Sequence, residues 1–427
     1  MYLPLYNLAL LLGLPFGAAA LAWRVARHAE YRHALGERFG QVAPSPPDRT
    51  VIWLHAVSVG EVISAVPLVR ALREAYPEAH LVVSCGTSTG RATALERLEG
   101  IADRVIYLAY DLPPLVWPAV RAVRPDLVLL VETEIWPNLL LALGRRRVPA
   151  LLVNGRISRR SFPRYMRVRP LMRDALAPLT RLLMQTPRDA SRLVRIGAPR
   201  HKVRVLGNIK YDQPLPRVTL GQLEAHAAAL GFATGTPVLL AGSTHAGEEE
   251  ALARVWRRLR EREPKLVLVL AVRHPNRAPD VVARLAAMGI DAGRRSLGDC
   301  AGKPVVLLDT VGELAQHYAL ATVAFVGGSL VPVGGHNPLE PAAMGVPVVY
   351  GPHVTNFLGP CGSLEASHAA VRVADEDELA EVAGRLLADP DRRREMGMAG
   401  QAVFRLNQGA VARTLREIRE VLDGGRP

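Results

Sequence analysis

Two residues that could carry out acid–base chemistry follow the first apolar segment of the sequence. In VIWLHAVSVGEV, Gly60 and Glu61 come directly after a strand-like run and open a helical pattern. Glu61 is a candidate general base there, because a glycine lets the backbone and a substrate approach closely. In the alternative interpretation, Glu61 only complements the positive N-terminus of the helix, which would keep it ionised and lower its basicity.

A pair of carboxylates ends another apolar run. In DLVLLVETEIWPN, Glu132 and Glu134 follow a buried strand, where a carboxylate is costly unless it is paired or used. Both would lie on one side of the sheet only if the strand continued past Val131. Trp136 is explained adequately by core packing. Farther along, LGNIKYD places Lys210 in a turn that a glycine leads.

Polar turns also follow the apolar runs of the second half. PVLLAGSTHAGEEEA is typical of a strand, a turn and a helix start, where Ser243, Thr244 and free amides can receive a phosphate. LVLAVRHPNR places Arg273 and His274 after the next strand. His274 is more often a structural histidine than a catalytic one, since no acid or nucleophile lies nearby in sequence.

The most distinctive run is FVGGSLVPVGGHNPLEP, in which two glycine pairs predict a flexible loop after a buried strand. His336 and Asn337 then precede a helix that holds Glu340 in its first turn. Such a carboxylate suits sugar hydroxyls, and the free amides of the same turn suit a phosphate. In DTVGEL, Gly312 and Glu313 stand at the start of another helix.

A strongly basic segment, NGRISRRSFPRYMRVRPLMRD, has no acidic residue before Asp174. Its arginines are Arg156, Arg159, Arg160, Arg164, Arg167, Arg169 and Arg173. The interleaved aromatic residues Phe162 and Tyr165 favour a surface that lies against an anionic membrane or grips a phosphorylated headgroup. The alternative is a solvated basic helix in an arginine-rich protein.

The elements that position these residues alternate between apolar runs and amphipathic stretches, which is typical of βαβ units. A looser stretch separates two such series, so the sequence predicts an α/β fold of two Rossmann-like, doubly wound domains. The predicted segments are a connector at 24–50, a first domain at 51–210, a linker at 211–236 and a second domain at 237–427. Two such domains facing a cleft would bind ligands beyond the carboxyl ends of their strands.

The N-terminal segment 1–23 contains no charged side chain and is long enough to cross a bilayer, so we expect a single-pass membrane anchor. A secretory signal is the alternative, although no basic region precedes the apolar run; a buried hairpin helix is another. Basic residues follow at Arg24, Arg27, His28, Arg32 and Arg38. By the positive-inside rule, the rest of the chain is expected on the cytoplasmic side of the membrane.

The composition excludes disorder and suggests an anionic partner. The chain has 427 residues, 49% of them hydrophobic, and a formal net charge of +13. Nucleic acid is not expected as that partner, because only 5% of residues are aromatic and no zinc-ligand or RNP-like pattern is present. The three cysteines are widely spaced and are expected to be reduced thiols of the core.

Taken in order, the motifs HAVSVGE, ETEIWPN, NGRISRRSF, LGNIKYD, STHAGEEE, RHPNR, DTVGEL and FVGGSLVPVGGHNPLEP resemble the Kdo (3-deoxy-D-manno-octulosonic acid) transferase family. The resemblance implies a GT-B glycosyltransferase that takes Kdo from CMP-Kdo and transfers it to a phosphorylated lipid A precursor. The family also has an N-terminal anchor. Small departures are Gly155 where alanine is common and Val272 where proline is common.

The resemblance also implies roles for individual residues. Glu61 is implied as the general base on the acceptor hydroxyl, with Glu132 and Lys210 assisting in the transition state. The implied CMP-binding residues are Val272, Arg273, Val311, Gly312, Glu313, Asn337, Pro338, Leu339 and Glu340. A single base on the acceptor side fits an inverting displacement.

No metal or other cofactor is expected, because cations and helix amides can stabilise the leaving phosphate and no DxD-like pair follows a strand. Two alternatives stay open. One is another GT-B enzyme that uses a UDP-sugar, as a transferase or an epimerase. The other is a membrane-anchored protein that binds an anionic ligand such as nucleic acid.

Overall fold

Two parallel sheets of seven strands organise the chain in the computed structural model, which describes residues 2–27, 33–212 and 218–424. One compact unit consists of the described residues of Met1–Gln213 and Asn407–Pro427, and the other of those of Pro214–Leu406. His28, Arg32 and part of the predicted linker, 213–217, lie outside the described residues. The expected pair of Rossmann-like α/β units is confirmed.

The first unit has the strand order β3-β2-β1-β4-β5-β6-β7. Its strands are β1 Val51–His55, β2 His80–Cys85, β3 Arg104–Tyr107, β4 Leu127–Val131, β5 Ala150–Gly155, β6 Arg181–Met184 and β7 Val203–Val205. Its helices are α1 Leu3–Arg27, α2 Leu35–Arg38, α3 Val59–Ala75, α4 Ser88–Arg97, α5 Pro113–Val123, α6 Pro137–Arg145, α7 Phe162–Arg167, α8 Arg169–Leu176, α9 Pro187–Ile196 and α18 Ala410–Asp423.

The second unit has the strand order β10-β11-β9-β8-β12-β13-β14. Its strands are β8 Val238–Thr244, β9 Val267–Val272, β10 Ala292–Arg294, β11 Val305–Leu308, β12 Val323–Val326, β13 Val348–Tyr350 and β14 Ala370–Arg372. Its helices are α10 Leu220–Ala229, α11 Glu248–Arg260, α12 Ala278–Ala287, α13 Leu314–His317, α14 Leu339–Ala343, α15 Leu358–Ala366, α16 Glu376–Ala388 and α17 Pro390–Asn407.

Both faces of each sheet are covered, which explains why the strands read as continuous apolar runs. In β1, Val51 and Trp53 belong to one core cluster of the first unit, whereas Ile52 and Leu54 belong to the cluster on the opposite face. All five residues of β4 are fully buried. In the central strands, the alternation of side chains thus places residues in the cores on both faces of the sheet.

The C-terminal helix differs from the expected domain boundary. The sequence assigns residues 237–427 to one domain, but Ile418 and Leu422 of α18 pack in the core of the first unit. The Asp212 carboxylate accepts hydrogen bonds from the amides of Gly409 and Val411, at 2.5 Å each. These contacts hold the end of the chain to the first unit. No local sequence signal reports which core an amphipathic helix will join.

The strand order also fixes where ligands can approach. In both units the order reverses direction between two central strands, β1 and β4 in the first unit and β8 and β12 in the second. Ligands of open α/β sheets bind outside the carboxyl ends of the strands at this switch point. Glu61 and Glu132 follow β1 and β4, so they mark the switch point of the first unit.

Candidate functional site

Glu61 lies in the first turn of α3 and folds back onto the turn that precedes it. One carboxylate oxygen accepts the Val57 amide at 2.7 Å, and the other accepts the Ser58 hydroxyl at 3.1 Å. Ser58 is the N-cap residue of the helix, and its hydroxyl faces the Glu61 amide in return. Glu61 therefore does stabilise the N-terminus of α3, as the alternative interpretation holds, although it does so through hydrogen bonds to the preceding turn as well as through its charge.

The surroundings of Glu61 favour a proton on its carboxyl group. Burial, followed by the nearby charge of Glu134, raises the pKa of Glu61 to about 7, although the hydrogen bonds from Val57 and Ser58 oppose the shift. The helix dipole was expected to lower its basicity. Desolvation outweighs that effect here, so Glu61 becomes a base that titrates near neutral pH.

Glu132 is held in a strained backbone conformation directly after β4. Its φ is +60°, which is uncommon for a residue with a Cβ, and its amide donates to the Val153 carbonyl at 2.9 Å. The carboxylate lies 3.3 Å from the Lys210 ammonium. Strain of this kind persists only where the surrounding structure imposes it, and it concentrates at functional sites.

Lys210 reaches Glu132 through a short 3-10 helix, Ile209–Asp212, that follows the edge strand β7. The amide of Ile209 donates to the Asn154 side-chain oxygen at 3.2 Å, and the amide of Lys210 donates to Asn208 at 3.0 Å. These two hydrogen bonds fix the turn. The sequence places Lys210 at a turn but does not indicate that its side chain contacts Glu132 at the end of β4.

Glu134 joins the same group of carboxylates, although β4 ends at Val131 and the period-two argument does not apply. Its carboxylate accepts the Trp136 indole N–H at 2.9 Å and lies 3.8 Å from the buried His55 ring. Trp136 therefore has a polar contact beyond the packing expected of it. Glu61, Glu132 and Glu134 form an acidic cluster that Lys210 partly neutralises.

The arginines of the basic segment surround the end of β5 and the short helices α7 and α8. Arg156 directly follows β5 and is partly buried, whereas Arg159 and Arg160 are exposed in the turn before α7. Arg164 is exposed on α7. The structure thus presents these charges at the surface of the same unit that holds the carboxylate cluster.

In the second unit, three histidines meet at the ends of the adjacent strands β8, β9 and β12. The Nε2 atoms of His245 and His336 are 2.8 Å apart, and the His274 ring lies edge-on to His245 with the centroids separated by 5.8 Å. Burial, followed by the charges of His245 and Arg273, lowers the pKa of His336 to about 4. The sequence singled out His274 and His336 separately and did not predict the cluster.

A buried carboxylate holds the glycine-rich loop in place, and sequence reasoning missed it. Glu248 is fully buried at the start of α11 and accepts the amides of Gly328, Ser329, Leu330 and His245 at 2.7–3.0 Å. The run of three glutamates after Gly247 was the available signal. Glu248 thereby ties the loop after β12 to the turn after β8.

Ser243 and Thr244 were expected in a phosphate-binding turn, but they are the last two residues of β8. Ser243 has a φ of +59° and is partly exposed, whereas the Thr244 side chain is completely buried. Among the described residues, no hydrogen-bond partner is found for the Thr244 hydroxyl. The backbone amide of exposed Arg273 donates to the Thr244 carbonyl at 3.0 Å. Ser243 and Arg273 therefore lie at the neighbouring ends of β8 and β9.

The remaining predicted donor-site residues are Val272 at the end of β9, Val311 to Glu313 in the loop after β11, and Asn337 to Glu340 where α14 begins. Val311 and Gly312 are exposed, and Glu313 lies 3.6 Å from Arg295. The Asn337 side chain donates to Glu340 at 3.1 Å, and burial raises the pKa of Glu340. Val272, Pro338 and Leu339 have buried side chains, which leaves mainly their backbone atoms for a ligand. Their assignment to CMP stays a prediction.

The described residues contain no group of three or more His, Cys, Asp and Glu side chains arranged to hold a metal ion. The three cysteines are buried free thiols. One helix, α1, is long and apolar enough to cross a membrane by length and composition alone.

Solved structures with the same architecture show which fold the chain has. A UDP-GlcNAc 2-epimerase from Neisseria meningitidis matches with a TM-score of 0.59 and 14% identity, over 87% of this chain and all of that one. A putative UDP-N-acetylglucosamine 2-epimerase from Listeria monocytogenes matches with a TM-score of 0.57 and 16% identity, over 89% of this chain and 98% of that one. At this identity the similarity shows the fold, which is GT-B.

Sequence comparison then shows the family. The family model "3-Deoxy-D-manno-octulosonic-acid transferase (kdotransferase)" matches residues 33–213. A 3-deoxy-D-manno-octulosonic acid transferase of Haemophilus influenzae is 35% identical, over 92% of each chain. One of Bordetella pertussis is 38% identical, over 94% of this chain and 95% of the relative. The chain belongs to the Kdo transferase family and is a glycosyltransferase.

Proposed function

We propose that this protein is an inverting glycosyltransferase that moves Kdo from CMP-Kdo to a hydroxyl group of a phosphorylated lipid A precursor of the lipid IVA type. The observation that carries the proposal is Glu61, a partly buried carboxylate at a sheet switch point whose pKa is raised to about 7. Glu132 and Lys210 form an ion pair beside it in the same unit. Family membership supplies the substrate class.

Glu61 acts as the general base. Its ionised carboxylate accepts the proton of the acceptor hydroxyl while the hydroxyl oxygen attacks the anomeric carbon of Kdo and the bond to the CMP phosphate breaks. A base whose pKa lies near the working pH is both ionised and strong enough to take the proton. One base and no protein nucleophile give a single displacement, which inverts the anomeric configuration.

Glu132 and Lys210 act as a pair near the reacting hydroxyl. The ammonium offsets the negative charge of Glu132 at a 3.3 Å separation, and a cation placed beforehand can stabilise charge that develops in the transition state. The strained backbone of Glu132 is consistent with a position set by function rather than by folding alone.

The second unit binds the donor nucleotide. The leaving CMP gains negative charge on its phosphate, and Arg273 with the backbone amides at the strand ends can stabilise that charge without a metal ion. Polar groups for the ribose and the base are offered by Ser243, Gly312, Glu313, Asn337 and Glu340. The other predicted donor-site residues at this end of the second unit's sheet are Val272, Val311, Thr244, Pro338 and Leu339. We propose that no cofactor is required.

The acceptor and the membrane bind to the first unit. Arg156, Arg159 and Arg160 suit the phosphates of a lipid A precursor, since guanidinium groups bind phosphate in a bidentate manner. The apolar helix α1 attaches the protein to the inner membrane, with both units on the cytoplasmic side. Basic residues near its end, Arg24 and Arg27, agree with that side.

Product analysis tests this function. The full chain in detergent, given CMP-Kdo and a purified lipid A precursor, should yield an acceptor whose mass has grown by Kdo. Glu61→Ala should abolish transfer while CMP still protects the protein against thermal unfolding; Glu74→Ala, at the exposed far end of α3, should change neither. Protection by UDP in place of CMP, or full transfer by Glu61→Ala, would refute the assignment.

A further inference from the structure

The first two turns of α1 are bonded to the body of the first unit. The Tyr6 hydroxyl donates to the Asp111 carboxylate at 2.9 Å, and the Asn138 side-chain amide donates to the Asn7 oxygen at 2.8 Å. Asp111 also accepts the amides of Asn138 and Leu139, at 3.0 and 2.8 Å, where α6 begins. Asp111 itself is buried. The root of α1, defined as Tyr6 and Asn7, therefore belongs to a polar network inside the unit.

The chain beyond α1 returns to the same unit. Glu37 of α2 accepts the amide of Tyr107 at 2.8 Å, and the Arg38 guanidinium donates to the Gly86 carbonyl at 3.0 Å. Arg38 is buried and stacks over the Tyr107 ring at 3.8 Å. Both the chain before α1's apolar middle and the chain after it are thus fixed to the first unit.

The middle of α1 is apolar on every side. Residues 11–20 are all exposed, and none of them is charged. Leu12 and Phe16 are 70% and 79% exposed. An apolar helix that is not amphipathic and that no described part of the protein covers is typical of immersion in lipid rather than of attachment to a surface by one face.

A transmembrane crossing conflicts with the root contacts. Crossing the hydrocarbon core takes roughly 20 helical residues, or about 30 Å. If α1 crossed with the chain after it on the side of the first unit, Tyr6 and Asn7 would lie on the opposite side of the membrane. Asp111 and Asn138 could not reach them there, and the hydrogen bonds of the root would be lost, which leaves buried polar groups without these partners.

We infer that α1 does not span the bilayer but lies immersed in a single leaflet, on the same side as the first unit, with its root held by Asp111 and Asn138. The partner is the cytoplasmic leaflet of an anionic phospholipid bilayer. This inference rests on the proposed membrane location and replaces the expected single-pass anchor with a helix that enters and leaves from one face.

Charge around α1 agrees with an anionic leaflet. Arg24 and Arg27 lie in its last turn, and α8, which carries exposed Arg169 and Arg173, contacts α1. Basic side chains beside an inserted apolar segment bind anionic headgroups. The root network also includes Asn138, which lies four residues after Glu134 in the chain. The lipid surface is therefore held at a fixed place relative to the carboxylate cluster of the same unit.

Cysteine accessibility in membranes tests the topology. Tyr2→Cys labels the chain next to the root of α1, and Glu96→Cys, exposed on α4, labels the side of the first unit. The native cysteines are buried and give a low background. In inverted vesicles, an impermeant maleimide should modify both variants, and in intact spheroplasts neither. Modification of Tyr2→Cys from the face opposite to Glu96→Cys would overturn the inference.

A cross-link decides the case in which the thiol introduced by Tyr2→Cys is shielded from both faces. Asn7→Cys combined with Asn138→Cys should be joined by a short bis-thiol reagent in native membranes, and each single variant should give no cross-link. Failure of the double variant to cross-link in membranes that contain active enzyme would also overturn the inference. If the chain does not sediment with membranes at all, the proposed membrane location fails instead, which keeps the two failures distinct.

Discussion

The Lys210 ammonium lies 3.3 Å from the Glu132 carboxylate, although the two residues follow strands that are three positions apart in the sheet. Glu132 stands at the end of the central strand β4 in a left-handed conformation, and Lys210 stands on the turn after the edge strand β7. The turn that carries Lys210 therefore folds back across the carboxyl edge of the sheet. The position of each side chain therefore depends on more than the strand that precedes it.

Lys210→Met should reduce transfer because it leaves Glu132 without this counter-charge. The negative charge of Glu132 already contributes to the raised pKa of Glu61. Because the variant no longer offsets that charge, the pKa of Glu61 should rise further. The acidic limb of the pH–rate profile should therefore move to higher pH. Glu132→Gln should also reduce transfer but should not move the limb upward.

A double-mutant cycle separates the pair from its members. If Lys210 and Glu132 act as one unit, the double variant should lose about as much kcat/KM as the worse single variant, because removing the second partner takes away an interaction that no longer exists. Additive losses would show that the two residues act independently.

The pH–rate profile should report Glu61 directly. The ionised form is the active base, and its pKa is raised to about 7, so the rate should fall as pH decreases through that value. Glu134→Gln removes the neighbouring charge that ranks next to burial among the causes of the shift. The limb should then move to lower pH. A limb near the ordinary carboxyl value in the native enzyme would contradict the assignment of Glu61 as the base.

The sequence predicts the sheets well because buried parallel strands are continuous apolar runs. The apolar runs in VIWLHAVSVGEV and DLVLLVETEIWPN form β1 and β4. The short edge strands β10 and β14 have partly exposed, mixed sequences and were not predicted. Glu61 and Glu132 could be found because each follows such a run.

Long-range pairing could not be predicted in the same way. The contacts of Lys210 with Glu132, of Tyr6 with Asp111 and of Glu248 with the loop amides join residues that are about 80 to 105 positions apart. A single sequence gives the residue types at each position but not their partners. The raised pKa of Glu61 was missed for this reason, since it depends on burial and on Glu134.

Glu248→Gln should weaken the loop that carries the HNPLE run. The carboxylate accepts four backbone amides, whereas a glutamine presents an NH2 group to some of them and cannot accept there. The free energy of unfolding should fall by about 1–3 kcal/mol, since a buried donor left unpaired costs that much. CMP affinity should fall as well, which calorimetry can measure.

Glu250→Gln is the matched control for Glu248→Gln. Glu250 lies on the same helix but pairs at 2.9 Å with Arg284, whose side chain is largely exposed. Exposed ion pairs contribute little to stability, so this variant should unfold almost as the native protein does and bind CMP normally. Equal effects of the two variants would show that Glu248 has no special role in holding the loop.

Charge reversal of Arg159, Arg160 and Arg164 should separate acceptor binding from donor binding. These exposed side chains belong to the first unit, whereas the predicted CMP site belongs to the second. At about 1 kcal/mol for each basic residue near an anionic surface, the triple glutamate variant should bind anionic vesicles at least about 100-fold more weakly. CMP affinity should be unchanged.

The control for this variant reverses Arg385, Arg392 and Arg394, which are exposed on α16 and α17 and form surface pairs with Glu381, Glu395 and Asp391. It changes the net charge by the same amount, so a general effect of charge would weaken vesicle binding in both variants. A local effect of the basic segment would weaken it only in the first. Loss of CMP binding together with vesicle binding would show that Arg159, Arg160 and Arg164 maintain the fold rather than contact lipid.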